Sequence, residues 1–217
     1  MGWVYGLVCV LCVTVWMLIR AEFAGDDARK FIFKPLSTGI LVVILLIILF
    51  SGTANRGYAL GLLGGLLFCY GGDMALMFPR PAAFRVGLVL FLAGHVVYGA
   101  AFSHFSGIWL AENPATWGIV VLGIAIYAFL YPGLGNMKLS VLAYILVISF
   151  MVNSAFFTGS GEFFSHGQAL LAGIGAVLFY VSDVILAVNR YRFPFRYNRI
   201  SLGFYYAGQL FIVLSAA

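Results

Sequence analysis

The chain has 217 residues, of which 64% are hydrophobic and only 9% are charged. Because a soluble domain carries roughly 25% charged residues, this composition excludes a water-soluble enzyme and indicates a polytopic membrane protein. The net charge of +5 does not call for a nucleic-acid partner, since basic loops on one membrane face account for it. We expect a single transmembrane domain over residues 1–217 that is surrounded by membrane lipids.

Eight apolar runs have lengths close to the roughly 20 residues that a membrane-spanning helix needs. The first run lacks a preceding basic segment, so we expect a true span rather than a cleaved signal sequence. The predicted spans are residues 3–19, 33–50, 58–78, 84–105, 115–131, 138–157, 167–189 and 200–217. The predicted fold is therefore all-α and integral to the membrane, with eight transmembrane helices.

The basic residues predict the orientation of these helices. Eleven of the 12 lie at connections that follow odd-numbered spans, and only Arg56 lies on the other side. By the positive-inside rule the first side is cytoplasmic and both termini are outside, as we expect for a protein of the bacterial inner membrane. The longest charged connection, residues 22–34, is expected to be a charged surface segment, either a solvated loop or a short interfacial turn.

Two carboxylates interrupt the apolar runs. Asp73 lies in the third predicted span, about five residues or roughly 8 Å from its cytoplasmic end, and Asp183 lies at a similar depth in the seventh. An ionisable side chain is costly in hydrocarbon, so it usually faces the bundle interior and serves a function. Helical spacing places Tyr70 on the face of Asp73 and Tyr180 on the face of Asp183.

Other polar side chains lie in the same half of the predicted membrane. His95 and Tyr98 share a face of the fourth span, Tyr205 and Gln209 lie in the eighth, and Lys34 is expected at the cytoplasmic mouth of the second. Two neighbouring carboxylates in a low-dielectric site do not both ionise readily, which supplies a general acid and a general base. Structural roles, such as a hydrogen-bonded aspartate or a packed histidine, stay open for each residue.

The three histidines do not predict a metal centre. His95, His104 and His166 lack the spacing of metal ligands, and His166 falls on the side opposite the aspartates. We therefore expect neither a metal nor another cofactor.

An internal repeat is visible as a set of identical residues separated by one fixed offset. The matched pairs are Gly65 and Gly175, Tyr70 and Tyr180, Asp73 and Asp183, Leu76 and Leu186, Arg80 and Arg190, and Leu92 and Leu202. Spans three and four thus correspond to spans seven and eight in the same orientation. This predicts a parallel four-plus-four repeat, an arrangement in which sites form between the repeats.

Several short motifs occur in order along the chain. They are Lys34-Pro-Leu, Gly72-Asp73, Gly94-His95-Val-Val-Tyr98, Tyr144 with Ile148 and Met151, Phe179-Tyr-Val-Ser182-Asp183, and Tyr205-Tyr206-Ala-Gly-Gln209. With these motifs the sequence resembles the YhhN-like family, the lysoplasmalogenases, over essentially its whole length.

The resemblance implies a hydrolase that cleaves the vinyl ether of a lysophospholipid substrate, lysoplasmenylcholine or lysoplasmenylethanolamine, with water. The products would be a fatty aldehyde and glycerophosphocholine or glycerophosphoethanolamine. Asp73 and Asp183 would be the catalytic acid and base, in either order. The residues expected to bind or orient the substrate are Lys34, Tyr70, His95, Tyr98, Tyr180, Ser182, Tyr205 and Gln209.

Two other functions fit the same residues. A small proton-coupled transporter also uses intramembrane carboxylates and a repeated fold. A lipid-binding or scaffold protein without turnover is the third possibility. Release of aldehyde by the purified protein in detergent, where no gradient exists, separates the enzyme from both.

Overall fold

The computed structural model describes residues 2–52, 54–106 and 114–217, and within them every regular element is helical. Short 3-10 segments precede or follow some of the α-helices, at Tyr131–Gly133, Gly135–Met137, Thr158–Ser160 and Asn198–Ile200. The α-helices are α1 (Gly2–Ala24), α2 (Asp27–Phe50), α3 (Arg56–Leu76), α4 (Pro81–Ser106), α5 (Pro114–Leu130), α6 (Lys138–Phe157), α7 (His166–Tyr191) and α8 (Ser201–Leu214).

The lengths of these helices confirm an all-α integral membrane protein. In the described residues, seven helices, α1 to α7, are long and apolar enough to cross a membrane. Helix α8 has 14 residues. At 1.5 Å per residue it is about 21 Å long, which is shorter than the roughly 30 Å of bilayer hydrocarbon. The eighth span therefore stays a prediction.

The charged connection at residues 22–34 contains a tight turn and the first two turns of α2, so the expectation of a solvated loop was wrong. Only a tight turn separates α1 from α2, with Gly25 at a φ of +68°. The Asp26 side chain then accepts a hydrogen bond from the backbone N–H of Arg29 at 3.0 Å and caps α2. Because this cap starts the helix earlier than the apolar run does, Lys34 lies about two turns inside α2 instead of at its beginning.

Glycines let two helix pairs approach closely. A Cβ on Gly65 of α3 would lie 2.5 Å from the Tyr98 ring of α4. A Cβ on Gly175 of α7 would lie 2.8 Å from the backbone oxygen of Gly208 in α8. Small residues at such positions allow van der Waals packing between helices in a membrane. The α3–α4 and α7–α8 pairs are accordingly the most closely packed neighbours.

The two halves of the chain pack in the same order. Helices α1 to α4 contact one another consecutively, and so do α5 to α8. Across the halves, α2 packs on α8 and α6 packs on α4. A four-plus-four repeat would produce this order; the repeat itself stays a prediction.

Aromatic side chains fill one end of the helix bundle. Tyr58 is at their centre: its ring centroid lies 5.0 Å from that of Phe164, and its hydroxyl lies 2.7 Å from Ser215 Oγ. The other members of this aromatic cluster are Phe102, Phe105 and Phe163. The opposite end of the bundle holds a cavity.

Candidate active site

A cavity of about 520 Å³ lies between the helices at the end where α1 meets α2 and α7 leads into α8. Its walls are largely apolar and include Leu88, Phe91, Ile126, Ile148, Val184 and Leu202. Its deeper polar lining includes Lys34, Asp73, Tyr144, Tyr180, Ser182, Asp183 and Tyr205. Within residues 2–52, 54–106 and 114–217, no group of three His, Cys, Asp or Glu side chains is arranged to hold a metal ion.

Asp73 is surrounded by donors. Its Oδ2 accepts hydrogen bonds from the hydroxyls of Thr38 at 2.9 Å and Tyr205 at 2.7 Å. The Nζ atom of Lys34 lies 3.5 Å from Oδ1, and both of these side chains are buried. The position expected for Lys34, at the cytoplasmic mouth, was therefore wrong. A buried carboxylate anion requires surroundings of this kind, with a cation and hydrogen-bond donors.

Asp183 has fewer partners and is more accessible. Its Oδ2 accepts a hydrogen bond from the Tyr144 hydroxyl at 2.7 Å. His95 Nε2 lies 3.6 Å from the same oxygen, slightly beyond hydrogen-bond length. In the described part of the chain no hydrogen bond reaches Oδ1 of Asp183. One oxygen of this carboxyl group is therefore left for the cavity.

His95 is enclosed by aromatic rings. It is fully buried, and its ring centroid lies 4.5 Å from that of Phe179 and 5.3 Å from that of Tyr144. Neither ring nitrogen has a hydrogen-bond partner among the described residues. Because His95 Nε2 lies 3.6 Å from Asp183 Oδ2, the imidazole can form this bond after a small movement of either side chain.

The tyrosines that bond the carboxylates come from neighbouring helices. Tyr180 lines the cavity, but its hydroxyl lies 3.5 Å from Ser149 Oγ and is not bonded to Asp183. Tyr70 is half-buried and does not line the cavity. Helical spacing identifies residues that share a face of one helix, whereas the hydrogen bonds of these carboxylates run between helices. The tyrosine on the same helix as each aspartate is therefore not its hydrogen-bond partner.

Gln209 connects two tyrosines behind the cavity. Its Oε1 accepts a hydrogen bond from the Tyr98 hydroxyl at 2.7 Å, and its Nε2 donates to the Tyr205 hydroxyl at 3.5 Å. The Tyr205 hydroxyl in turn donates to Asp73. This series of hydrogen bonds directs the hydroxyl proton of Tyr205 toward the carboxylate of Asp73. Tyr98 and Gln209 thus support the cavity from behind without lining it, while Ser182 lines it beside Asp183.

Sequence reasoning did not select three residues of this network. Thr38 follows Lys34 by one helical turn. This spacing was the signal that could have placed Thr38 on the same helix face as Lys34. Tyr206 Oη lies 3.2 Å from Thr38 Oγ1, and Tyr144 bonds Asp183. Tyr144 and Tyr206 belonged to the motifs of the family resemblance, but neither was assigned to the site.

The two carboxylates have equivalent sets of neighbours. Each set, called here a half-site, contains the aspartate, one of its partners from the same half of the chain and one from the other half. Corresponding members are separated by the offset that relates the repeated residues. The pairs are Lys34 with Tyr144, Asp73 with Asp183, and His95 with Tyr205. The first half-site thus has an amine and a phenol, and the second has a phenol and an imidazole. Thr38, which also bonds Asp73, has no polar counterpart, since the same offset leads to Ile148.

Basic residues surround the opening of the cavity. The lining there includes Lys30, Arg80, Arg190 and Arg199, called here the rim cations, together with Glu22. Arg199 Nε lies 3.3 Å from Glu22 Oε2. The Arg190 guanidinium lies 4.6 Å from the centre of the Phe84 ring. The cavity therefore has a cationic opening, apolar walls and two carboxylates at depth.

A family profile and individual known proteins both match this chain. The YhhN family profile matches residues 29–216. Lysoplasmalogenase TMEM86A from Bos taurus is 34% identical over 158 residues, covering 70% of this chain and 63% of the bovine protein. Lysoplasmalogenase TMEM86A from Homo sapiens is 31% identical over 160 residues, with the same coverages.

A bacterial relative aligns over nearly its full length. The membrane protein YhhN of Escherichia coli O157:H7 is 26% identical over 211 residues, covering 94% of this chain and 95% of that protein. By contrast, the chain spans only 63% of the length of the two mammalian TMEM86A relatives. No solved structure gives a significant match.

Proposed function

The chain belongs to the YhhN family, and from this membership we propose that it is an intramembrane lysoplasmalogenase. It would hydrolyse the vinyl ether of a lysoplasmalogen to a fatty aldehyde and glycerophosphocholine or glycerophosphoethanolamine. The observation that carries the proposal is the pair of carboxylates, Asp73 and Asp183, in one apolar-walled cavity with a cationic opening. The names of the mammalian relatives support the same reaction class.

The chemistry of a vinyl ether calls for such a pair. Protonation of the outer alkene carbon gives an oxocarbenium ion, which water captures to form a hemiacetal. The hemiacetal then collapses to the aldehyde and the glycerol hydroxyl. A proton donor, a proton acceptor and nearby negative charge are needed, as in glycosidases that use two carboxyl groups.

The neighbours of the two aspartates support a division of roles. Asp73 has a cation and two hydroxyl donors, so we assign it as the carboxylate that stabilises the oxocarbenium ion and accepts a proton from water. Asp183 has one hydroxyl donor and an oxygen without a partner in the described residues, so we assign it as the acid that protonates carbon. Tyr144 holds the Asp183 carboxyl group in place.

The protons balance over the full reaction. Asp183 gives its proton to carbon, and Asp73 takes one from the attacking water. During collapse, Asp73 returns its proton to the departing glycerol oxygen, and the hemiacetal hydroxyl gives its proton to Asp183. General acid and base steps typically contribute roughly 10²–10⁴-fold each. Placement of the substrate against both carboxylates supplies further acceleration.

We also assign the orientation in the membrane. The rim cations lie at the end that the positive-inside rule places in the cytoplasm, so the cavity would open there. With the preceding segment Asn198–Ile200 and the residues that follow, α8 would complete an eighth span and put both termini outside. Reporter fusions at each terminus of a bacterially expressed chain test this: activity of a cytoplasm-only reporter at either end would contradict it.

The equivalent half-sites support the four-plus-four repeat. One fixed offset relates three pairs of side chains that occupy corresponding places around two carboxylates. The same offset relates the close-packed Gly65 and Gly175. Random matches would not be expected to coincide in this way with the packing of the helices.

One observation favours the enzyme over a transporter. The cavity lining extends from the end that carries the rim cations to about the middle of the bundle, and the aromatic cluster around Tyr58 fills the other end. A site open to one side suits a reaction in which substrate and headgroup product use the same entrance. Accumulation of a solute in proteoliposomes without aldehyde release would favour the transporter instead.

Replacement of the two aspartates tests the proposed function. Purified Asp73→Asn and Asp183→Asn variants are expected to release aldehyde from lysoplasmenylcholine at least about 10²-fold more slowly. Glu162→Gln is the control, because Glu162 is an exposed carboxylate outside the cavity lining. Full activity of both folded cavity variants would show that the carboxylates do not catalyse the reaction.

A further inference from the structure

The opening of the cavity contains cations that the hydrolytic steps do not use. Building on the proposed function, we propose that Arg80 and Arg190 form a subsite that binds the phosphodiester of the lysophospholipid headgroup. The subsite would select phosphate-bearing ethers over neutral ones and place the vinyl ether at the depth of the aspartates.

Lys34, one of the residues that the sequence places in substrate binding, is already paired with a carboxylate. Lys34 is 5% exposed, and its Nζ lies 3.5 Å from Asp73 Oδ1. Withdrawing this amine from the carboxylate would leave Asp73 buried without its counter-charge, which is costly. A substrate phosphate must therefore find its positive charge elsewhere, and the rim cations are the remaining positively charged groups of the lining.

The rim cations differ in how far they are already neutralised. Arg199 pairs with Glu22 at 3.3 Å, and Lys30 pairs with Asp27. No carboxylate in the described residues lies within ion-pair distance of Arg80 or Arg190. An arginine offers a planar set of N–H donors that matches phosphate oxygens and can bind two of them at once. These two arginines therefore carry the available charge and the suitable geometry.

The placement of Arg190 is compatible with an anion in the cavity. Its guanidinium is held near the Phe84 ring, at 4.6 Å from the ring centre, and a stacked guanidinium keeps its N–H edge available. Arg190 lies in the last turn of α7, where Cα–Cβ bonds tilt toward the helix N-terminus. The side chain thus starts in the direction of Asp183, which precedes it by about two turns.

The two arginines are related in the same way as the two aspartates. The offset between Arg80 and Arg190 equals that between Asp73 and Asp183, so each arginine follows its aspartate at the same spacing. In a lysophospholipid a single glycerol unit separates the phosphate from the ether oxygen. Arginines at the opening and aspartates below them match this order of charged group, short spacer and reactive bond.

Binding of a saturated analogue tests the subsite without depending on hydrolysis. The probe is an alkyl ether lysophosphocholine, which has no vinyl ether to cleave, and its phosphate-free partner is the alkylglycerol of equal chain length. Affinities are measured by native mass spectrometry of the purified chain in detergent. The cavity variant is Arg80→Gln/Arg190→Gln.

The matched control is Arg192→Gln/Arg196→Gln, which removes the same charge from residues outside the cavity lining. The cavity variant is expected to raise the Kd of the phospholipid about tenfold or more, since each arginine contributes a charged hydrogen bond. Its affinity for the alkylglycerol, and both affinities of the control, should stay within about twofold. Equal losses in the two double variants, or equal losses for the two probes, would overturn the subsite.

Competition identifies the anion. Glycerophosphocholine is expected to displace the phospholipid probe from the unmodified chain, whereas inorganic phosphate at the same concentration is not. Displacement by inorganic phosphate alone would overturn the assignment to a phosphodiester. If the arginine dependence is found but no aldehyde is ever released from a lysoplasmalogen, the proposed hydrolysis fails while the subsite stands.

Discussion

Replacing Lys34 by methionine removes the charge beside Asp73 and keeps an unbranched side chain of similar length. The Lys34 Nζ and Asp73 Oδ1 atoms are 3.5 Å apart, and the two side chains are 6% and 3% exposed. At an effective dielectric constant of about 20, charges at this separation attract by about 5 kcal/mol. Removing one member of a buried pair typically costs about 3–5 kcal/mol, so we expect Lys34→Met to lower the free energy of unfolding by that amount.

The measurement is reversible unfolding of the purified chain by SDS titration in mixed micelles. Lys34→Met/Asp73→Asn removes both charges, and its asparagine oxygen can still accept the two hydroxyl hydrogen bonds. We therefore expect the double variant to recover at least about half of the lost stability, as in a double-mutant cycle for a coupled pair. The control is Lys30→Met, whose partner Asp27 is 75% exposed. It should change stability by no more than about 1 kcal/mol.

The outcome bears directly on the catalytic roles. A Lys34→Met variant as stable as the unmodified chain would indicate that Asp73 is not held as an anion. A double variant no more stable than Lys34→Met would indicate the same. Either result would refute the assignment of Asp73 as the proton acceptor and reopen the question of which aspartate is the acid.

Two further predictions follow from particular contacts. Tyr144→Phe removes the hydroxyl bonded to Asp183 and is expected to lower kcat about tenfold or more with little change in KM, whereas Tyr127→Phe, outside the cavity lining, should leave both unchanged. Steady-state aldehyde release measures both variants, and a Tyr144→Phe enzyme at full rate would contradict the positioning role. Gly175→Ala places a Cβ 2.8 Å from the α8 backbone and should destabilise the chain by about 1–3 kcal/mol. Gly118→Ala meets no atom within 4 Å and should be neutral or stabilising by up to about 1 kcal/mol in the same SDS titration; equal effects of the two alanines would argue against the close α7–α8 packing.

The sequence identified the two carboxylates because a charge within an apolar run stands out against its neighbours. Asp73 and Asp183 both line the cavity, as their depth in the predicted spans suggested. Their hydrogen-bond partners were not predictable from helical periodicity. Tyr144 and Tyr205 reach the carboxylates across helix interfaces, and a single sequence carries no direct information on which faces of separate helices meet.

Lys34 shows a limit of counting charges along a membrane protein. The positive-inside rule treats every cation near the end of a span as part of a loop. The rule cannot separate such a cation from one that enters the bundle to neutralise a buried carboxylate. The cap at Asp26 was the missing signal, because it begins α2 earlier and carries Lys34 inward with the helix.

Each aspartate has partners on helices that are synthesised at different times, which constrains the order in which its surroundings are assembled. Asp73 on α3 receives its tyrosine from α8, which is synthesised well after α3. During cotranslational insertion, the carboxylate therefore has only its α2 partners, Lys34 and Thr38, until α8 leaves the translocon. A chain truncated before α8 would present an incompletely neutralised charge to the lipid. Such a chain would be an intermediate for membrane quality control to recognise, and the partners of Asp73 would be complete only after α8 has inserted.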